Sequence, residues 1–318
     1  MARSTKLPNY PTTNYKIAMN CVLIIDKPGG MTSHDVVNRV RRILKERSVG
    51  HLGTLDPSAT GVLPLVIGAL TRLAQFYTAS EKAYEGVIRF GFATDTYDAD
   101  GEPVGVPRTV APTFDAVYEL AAGFRGFVEQ LPPPFSAKKI QGVPAYKLAR
   151  KKEEVVLNPV RVEIKEFEIL AVDGDCASFQ ARVASGTYLR SVAHDMGQRM
   201  GCGAHLRSLR RTAVAEFELA DAHLLEELTA AAEKGTLEDL FVHPRKLLPR
   251  FPAVTANEDM AAHIRSGRTV NLPEFSKAQQ VKVFSGQREL IAIATRVAGT
   301  LFHPRIVLLG SDTAHAVR

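Results

Sequence analysis

The chain has 318 residues and 45% hydrophobic content, which is room for one large and one small domain with ordinary globular cores. Lys plus Arg number 40 against 34 Asp plus Glu, a net charge of +6 and a pI of about 9.2 that favour a polyanionic partner. Cys21, Cys176 and Cys202 are isolated, so a disulfide frame or zinc ribbon is not expected, and the lack of an apolar run near eighteen residues argues against a membrane helix.

Residues 1–18 are basic, free of acids and interrupted by Pro8 and Pro11, as expected of a polar tail rather than a transit helix. Cytoplasmic localisation is expected. Val22 to Ile25 reads as a short buried strand ending at the turn Asp26-Lys27-Pro28-Gly29-Gly30. Ser33 is the expected cap of a helix whose core residues Val36, Val37, Val40, Ile43 and Leu44 recur at helical spacing. Arg39, Arg41, Arg42, Lys45 and Arg47 occupy its other side, as a solvated face or as a footprint for RNA phosphates.

The run Gly50-His51-Leu52-Gly53-Thr54-Leu55-Asp56-Pro57-Ser58-Ala59-Thr60-Gly61-Val62-Leu63-Pro64-Leu65 cannot be one regular element, because its glycines free φ and its prolines fix it. It reads as a structured loop presenting a carboxylate and an imidazole between apolar anchors. Leu70 to Tyr77 is expected to be a short helix and Tyr84 to Phe90 a strand. The turn-rich stretch Thr94 to Gly101 has three carboxylates without a calcium-loop spacing and is expected to be structural. Thr113 to Gly123 reads as a helix. Leu131 to Gly142, with Tyr146, Lys147, Arg150, Lys151 and Lys152, is a proline-stiffened basic excursion. Val160 to Leu170 and Ala177 to Ala184 pair as strands, and Ser185 to Ser191 opens a helix reaching about Met200. After Pro249 and Pro252, short apolar runs alternate with turns, the pattern of a small β-barrel.

His51 to Pro64 resembles the catalytic motif of the bacterial tRNA pseudouridine-55 synthases, the TruB family. Leu52 stands where that motif has a small residue or Thr. The P-P-x-x-S-A-x-K-x-x-G pattern from Pro132, the Gly186-Thr187-Tyr188-Leu189-Arg190 string and Gly201 to Thr212 resemble further family elements in the same order. The resemblance implies an α+β chain: a pseudouridine synthase catalytic fold, a mixed and largely antiparallel sheet with flanking helices, plus a small C-terminal PUA-like β-barrel. The expected boundaries are a tail at 1–18, a catalytic domain at 19–250 with an RNA-gripping insertion at about 131–158, and a PUA-like domain at 251–318.

By the same resemblance the chain isomerises uridine 55 in the T-arm of tRNA, cutting the base from C1′ and rejoining it through C5. Asp56 is the catalytic carboxylate, Arg190 its charge partner, and Tyr84 the ring that stacks on the uracil. Lys27, His51, Tyr188 and Leu209 are expected to bind substrate. A carboxylate suits glycosidic cleavage because it stabilises an oxocarbenium-like centre. Arg207, Arg210 and Arg211 are expected to hold phosphates, while His194 and His205 are expected to be structural. No Walker, Rossmann or H-E-x-x-H pattern is present, so neither cofactor nor metal is implied. The expected partner is the tRNA T-arm stem-loop, met by a monomer without an obligate protein partner. A non-catalytic tRNA-folding chaperone or RNA-binding protein is the alternative, and it would need none of Asp56, Tyr84 and Arg190.

Overall fold

The protein is described by a computed structural model covering residues 19–308 apart from Ala137, Gln141, Tyr146, Lys147 and residues 149–156. The expected tail, and the basic residues at 147 and 150–152, lie outside the described residues. The strands in chain order are β1 (Val22–Lys27), β2 (Val49–His51), β3 (Thr60–Ile67), β4 (Lys82–Phe90), β5 (Ala93–Thr94), β6 (Pro103–Val104), β7 (Gly126–Gln130), β8 (Lys139–Ile140) and β9 (Val143–Pro144). They continue as β10 (Val160–Asp173), β11 (Cys176–Val183), β12 (Ala204–Val214), β13 (Phe217–Glu218), β14 (Ala253–Ala256), β15 (Val270–Asn271), β16 (Gln280–Ser285), β17 (Glu289–Ala298) and β18 (Leu301–Val307). The α-helices are α1 (Ser33–Leu44), α2 (Phe114–Ala122), α3 (Leu189–Met200), α4 (Leu225–Lys234) and α5 (Glu258–Arg265).

A nine-stranded sheet runs β1-β3-β12-β4-β11-β10-β7, with β2 added to β3 and β13 to β12. All its pairings are antiparallel except β3 with β12, where Thr60 and Gly61 lie beside Arg210 and Arg211 in parallel register. That single reversal of direction sits immediately after the Asp56 loop. The continuous apolar run Val22 to Ile25 is explained by burial on both faces. Leu23 and Ile25 pack with α1 and α4, whereas Val22 and Ile24 pack with Phe217 and with Phe284, Leu290 and Ile293 of the C-terminal part. Each such side chain contributes about 1.5–3 kcal/mol on burial. Helices α2 and α3 cover the other half of the sheet, over Ile88, Phe90, Phe167 and Phe179.

The C-terminal sheet, ordered β14-β16-β17-β18-β15, is a curled half-barrel of the PUA-like kind. It meets the larger sheet through the shared apolar cluster just named. Where an element was expected its limits are close, but the loop expected to reach Leu65 gives way to β3 at Thr60, and β12 has no counterpart among the expected strands. Three smaller differences remain. Thr32, not Ser33, caps α1 through a capping box with Asp35, because Ser33 is buried and turned to Leu55. Gly68–Phe76 is a 3-10 helix. Ser185 to Thr187 stay outside α3, which begins at Leu189.

Gly61 is the tightest point of the sheet: its φ is +99°, and a Cβ there would lie 2.2 Å from the Arg211 carbonyl oxygen. A side chain would push β3 off β12 at the parallel step. Gly61→Ala is therefore expected to lower unfolding free energy by about 3 kcal/mol. The check is the denaturant midpoint at constant slope, and an unchanged midpoint would refute the close approach.

Candidate active site

The Asp56 loop joins β2 to β3 and is fixed from below by buried cations and a hydroxyl. Arg211, fully buried on β12, donates from Nε to the Val62 carbonyl at 2.8 Å, from Nη1 to Thr54 at 3.1 Å and from Nη2 to Gly53 at 3.0 Å. Lys27 is also buried, and its ammonium donates to the carbonyls of Pro28 (2.8 Å), Met31 (2.6 Å) and Pro57 (3.0 Å). Burial pulls its pKa down to about 8, with Asp56 opposing the shift. Ser33 Oγ accepts from Leu55 N at 2.8 Å and donates to Leu55 O at 3.2 Å. The backbone on both sides of Asp56 is thus bonded to three separate elements.

Asp56 itself faces a cavity of about 290 Å³ whose lining includes Lys82, Tyr84, Tyr188, Arg190 and Leu209. Arg190 Nε lies 2.9 Å from Asp56 Oδ2, a charge contact in which the N–H does not point along the oxygen. The arginine side chain is 5% exposed and that of Asp56 39%, so the cation is buried behind a carboxylate that solvent or substrate reaches. Three more acceptors surround the guanidinium. Nη1 donates to Thr96 O at 3.1 Å and lies 3.4 Å from Asp98 Oδ2, while Nη2 donates to Phe135 O at 3.0 Å. The two terminal nitrogens thus each have a carbonyl acceptor, and two carboxylates balance the buried charge.

Asp98 belongs to the turn expected to be merely structural. The fold instead brings its carboxylate to the guanidinium that Asp56 uses. Thr96 Oγ1 donates to Asp98 Oδ1 at 2.6 Å and Asp100 N donates to it at 3.2 Å. Burial raises the pKa of Asp98, and the Thr96 hydrogen bond and Arg190 oppose that rise. Tyr97 adopts a left-handed φ of 67°, and its ring stacks on His194 with centroids 3.8 Å apart. Nothing in the spacing of Asp95, Asp98 and Asp100 singles out the middle carboxylate. Lys82 was also missed, although Lys-x-Tyr on a strand puts it on the same side as Tyr84. It lines the cavity, and burial followed by repulsion from Arg211 lowers its pKa to about 8.

The other expected residues divide between cavity and support. Asp56, Tyr84, Tyr188, Arg190 and Leu209 line one cavity. Lys27 does not: its side chain is buried and bonded to three carbonyls, so its position is that of a loop clamp rather than a substrate contact. His51 is also set back, its Nδ1 accepting from Gly53 N at 3.3 Å, and burial lowers its pKa. Burial raises the pKa of Tyr84, which keeps the phenol protonated. The expected phosphate contacts need correction at Arg211. Arg211 is enclosed, and Arg210 pairs with Asp26 through bonds of 2.6 and 3.1 Å. Arg207 stays exposed, donating to Cys176 Sγ at 3.1 Å. Among the described residues, no three His, Cys, Asp or Glu side chains converge as metal ligands.

Arg211→Met would leave the carbonyls of Gly53, Thr54 and Val62 without their donor. A stability loss of about 3 kcal/mol is expected, measured by denaturant unfolding. A loss below about 1 kcal/mol would show that the loop holds its shape unaided.

Residues 41–189 match the family described as TruB family pseudouridylate synthase (N terminal domain), and residues 190–248 match tRNA pseudouridylate synthase B C-terminal domain. The tRNA pseudouridine synthase B of Solibacter usitatus is 50% identical over 293 residues, covering 91% of this chain and 100% of that protein. The Azoarcus protein of the same name is 39% identical, covering 90% and 94%. Two solved structures share the fold. One, an H/ACA RNP bound to a substrate RNA containing 2′-deoxyuridine, has a TM-score of 0.67 at 22% identity, covering 91% of this chain and 85% of that one. The other, an archaeal box H/ACA sRNP Nop10-Cbf5 complex, has a TM-score of 0.66 at 24% identity, covering 92% and 87%. With two consecutive family matches and a half-identical full-length relative, the chain belongs to the TruB family of pseudouridylate synthases.

Proposed function

We propose that this chain converts uridine 55 in the T-arm of tRNA to pseudouridine, as a cytoplasmic monomer without cofactor, and that Asp56 acts on the ribose. The observation that carries the reading is the half-exposed Asp56 carboxylate on a buried guanidinium at the edge of a cavity lined by Tyr84 and Tyr188. A pure RNA binder has no use for that arrangement.

The reaction breaks C1′–N1, forms C1′–C5, gives N1 a proton and releases the C5 hydrogen, with no redox change. Two routes are open to a carboxylate at the sugar: addition to C1′, or removal of the C2′ proton. Both require Asp56 ionised, and Arg190 lies 2.9 Å away as its charge partner. The detached pyrimidine carries its developing charge on carbonyl oxygens and stays in the cavity, so a second carboxylic acid is not needed. Tyr84 is held as a neutral phenol, which suits a stacking ring. The uridine must leave its RNA stack to enter, at a cost of a few kcal/mol, and phosphate contacts offset that cost with a strong salt dependence.

The test is tritium release from a bare T-arm stem-loop labelled at C5 of uridine 55. The wild type should release tritium, and Asp56→Asn should be slower by at least about 10⁴-fold while binding the RNA within about threefold. Binding without release by the wild type would mark a tRNA-folding protein instead. Turnover by the Asn variant would remove Asp56 from the mechanism.

A further inference from the structure

The segment that leads into the basic insertion is bonded directly to the first turn of the catalytic helix. Gln130, the last residue of β7, is buried, and its side-chain amide clasps one residue in both directions: Nε2 donates to Tyr188 O at 3.0 Å, and Oε1 accepts from Tyr188 N at 2.8 Å. Leu131 O accepts from Ser191 Oγ at 2.7 Å, and Phe135 O accepts from Arg190 Nη2 at 3.0 Å. Residues 130–135 therefore run alongside residues 188–191.

We propose that Gln130 is a positioning residue for the reaction, fixing Tyr188 and through it Arg190, and that it ties the base of the RNA-gripping segment to the charge partner of Asp56. The proposal rests on the functional reading above. Tyr188 stands at the N-cap position of helix α3 and makes no side-chain cap bond, so the first turn takes its orientation from contacts outside the helix. The Gln130 amide supplies a two-point contact: bonds to both the N–H and the C=O of one residue fix direction as well as distance. Tyr188 is also a wall of the cavity, and Arg190 follows it by two residues. A shift at residues 130–135 accordingly moves a cavity wall and an acceptor of the catalytic guanidinium together. Misplacement by about 1 Å is enough to slow a reaction by up to roughly a hundredfold.

The test measures kcat and KM for tritium release by the full chain carrying Gln130→Leu, which keeps the bulk and removes both bonds, and Ser191→Ala, which removes the neighbouring bond. Each is also combined with Arg190→Lys. Gln130→Leu should lower kcat roughly ten- to hundredfold with KM within about twofold. In the Arg190→Lys background it should add less than about threefold, because both changes act on one group. Ser191→Ala should show a smaller loss of the same sub-multiplicative kind, and it decides alone if Gln130→Leu does not fold. Wild-type kcat, a loss seen in KM, or losses that multiply fully with Arg190→Lys would each overturn the proposal. Amide exchange at Tyr188 in the RNA-free protein is the readout independent of turnover and should accelerate at least about tenfold in Gln130→Leu. If the wild type releases no tritium, the functional reading fails, and unchanged Tyr188 exchange in the variant is what would refute the clasp.

Discussion

The guanidinium of Arg190 is the point on which the site converges. It is almost wholly buried, and it is shared among Asp56, Asp98 and the carbonyls of Thr96 and Phe135, which come from three different parts of the chain. Taking such a group out of water is costly, and the geometry is stable because its donors meet acceptors on several sides. Asp56 gains a charge partner without losing its opening to the cavity. The carboxylate is held from one side and free on the other, which is what a group acting on a bound sugar requires.

The sheet makes this arrangement possible at its one parallel step. Where β3 runs beside β12, Gly61 admits the Arg211 backbone, and the Arg211 side chain turns back to hold the loop that carries Asp56. Lys27 and Ser33 hold the same loop from β1 and α1. The chain's positive balance is thus partly internal. Lys27 and Arg211 bond to carbonyls, and Arg210 pairs with Asp26, so none of the three is offered freely to phosphate. A net charge gives the sign of the surface potential but does not say which cations form a phosphate footprint.

Much of the site was legible in the sequence because it is written locally. The Asp56 loop announces itself by Gly and Pro punctuation, Arg190 sits in a short string that resembles a family motif, and Tyr84 is named by the same resemblance. Several strand and helix limits follow from periodicity: Val162 and Ile164, then Phe167 and Ile169, are buried across a bulge in β10, and the helix read over Thr113 to Gly123 is α2, with Thr113 as its cap. The parts that were not legible act across long sequence separations. Asp98 is one of three similar acids in a turn, and only the fold puts it on Arg190. Gln130 resembles any polar residue at a strand end until Tyr188 is beside it. Arg211 reads as one of several basic residues until burial is known. Hydrogen bonds between distant segments leave no periodic trace, so spacing alone does not reveal them.

The central claim is that the Asp56 carboxylate, steadied by Arg190, works on the ribose of an extruded uridine. The most direct measurement is a structure of the protein with a T-arm stem-loop carrying a C5-fluorinated uridine at position 55, which has no C5 hydrogen to release. The account predicts the nucleotide in the cavity against Tyr84, with an Asp56 oxygen within about 3.5 Å of C1′ or C2′, or bonded to the sugar, and Arg190 still on the carboxylate. A complex in which the ribose lies against another residue, with Asp56 facing solvent, would contradict it.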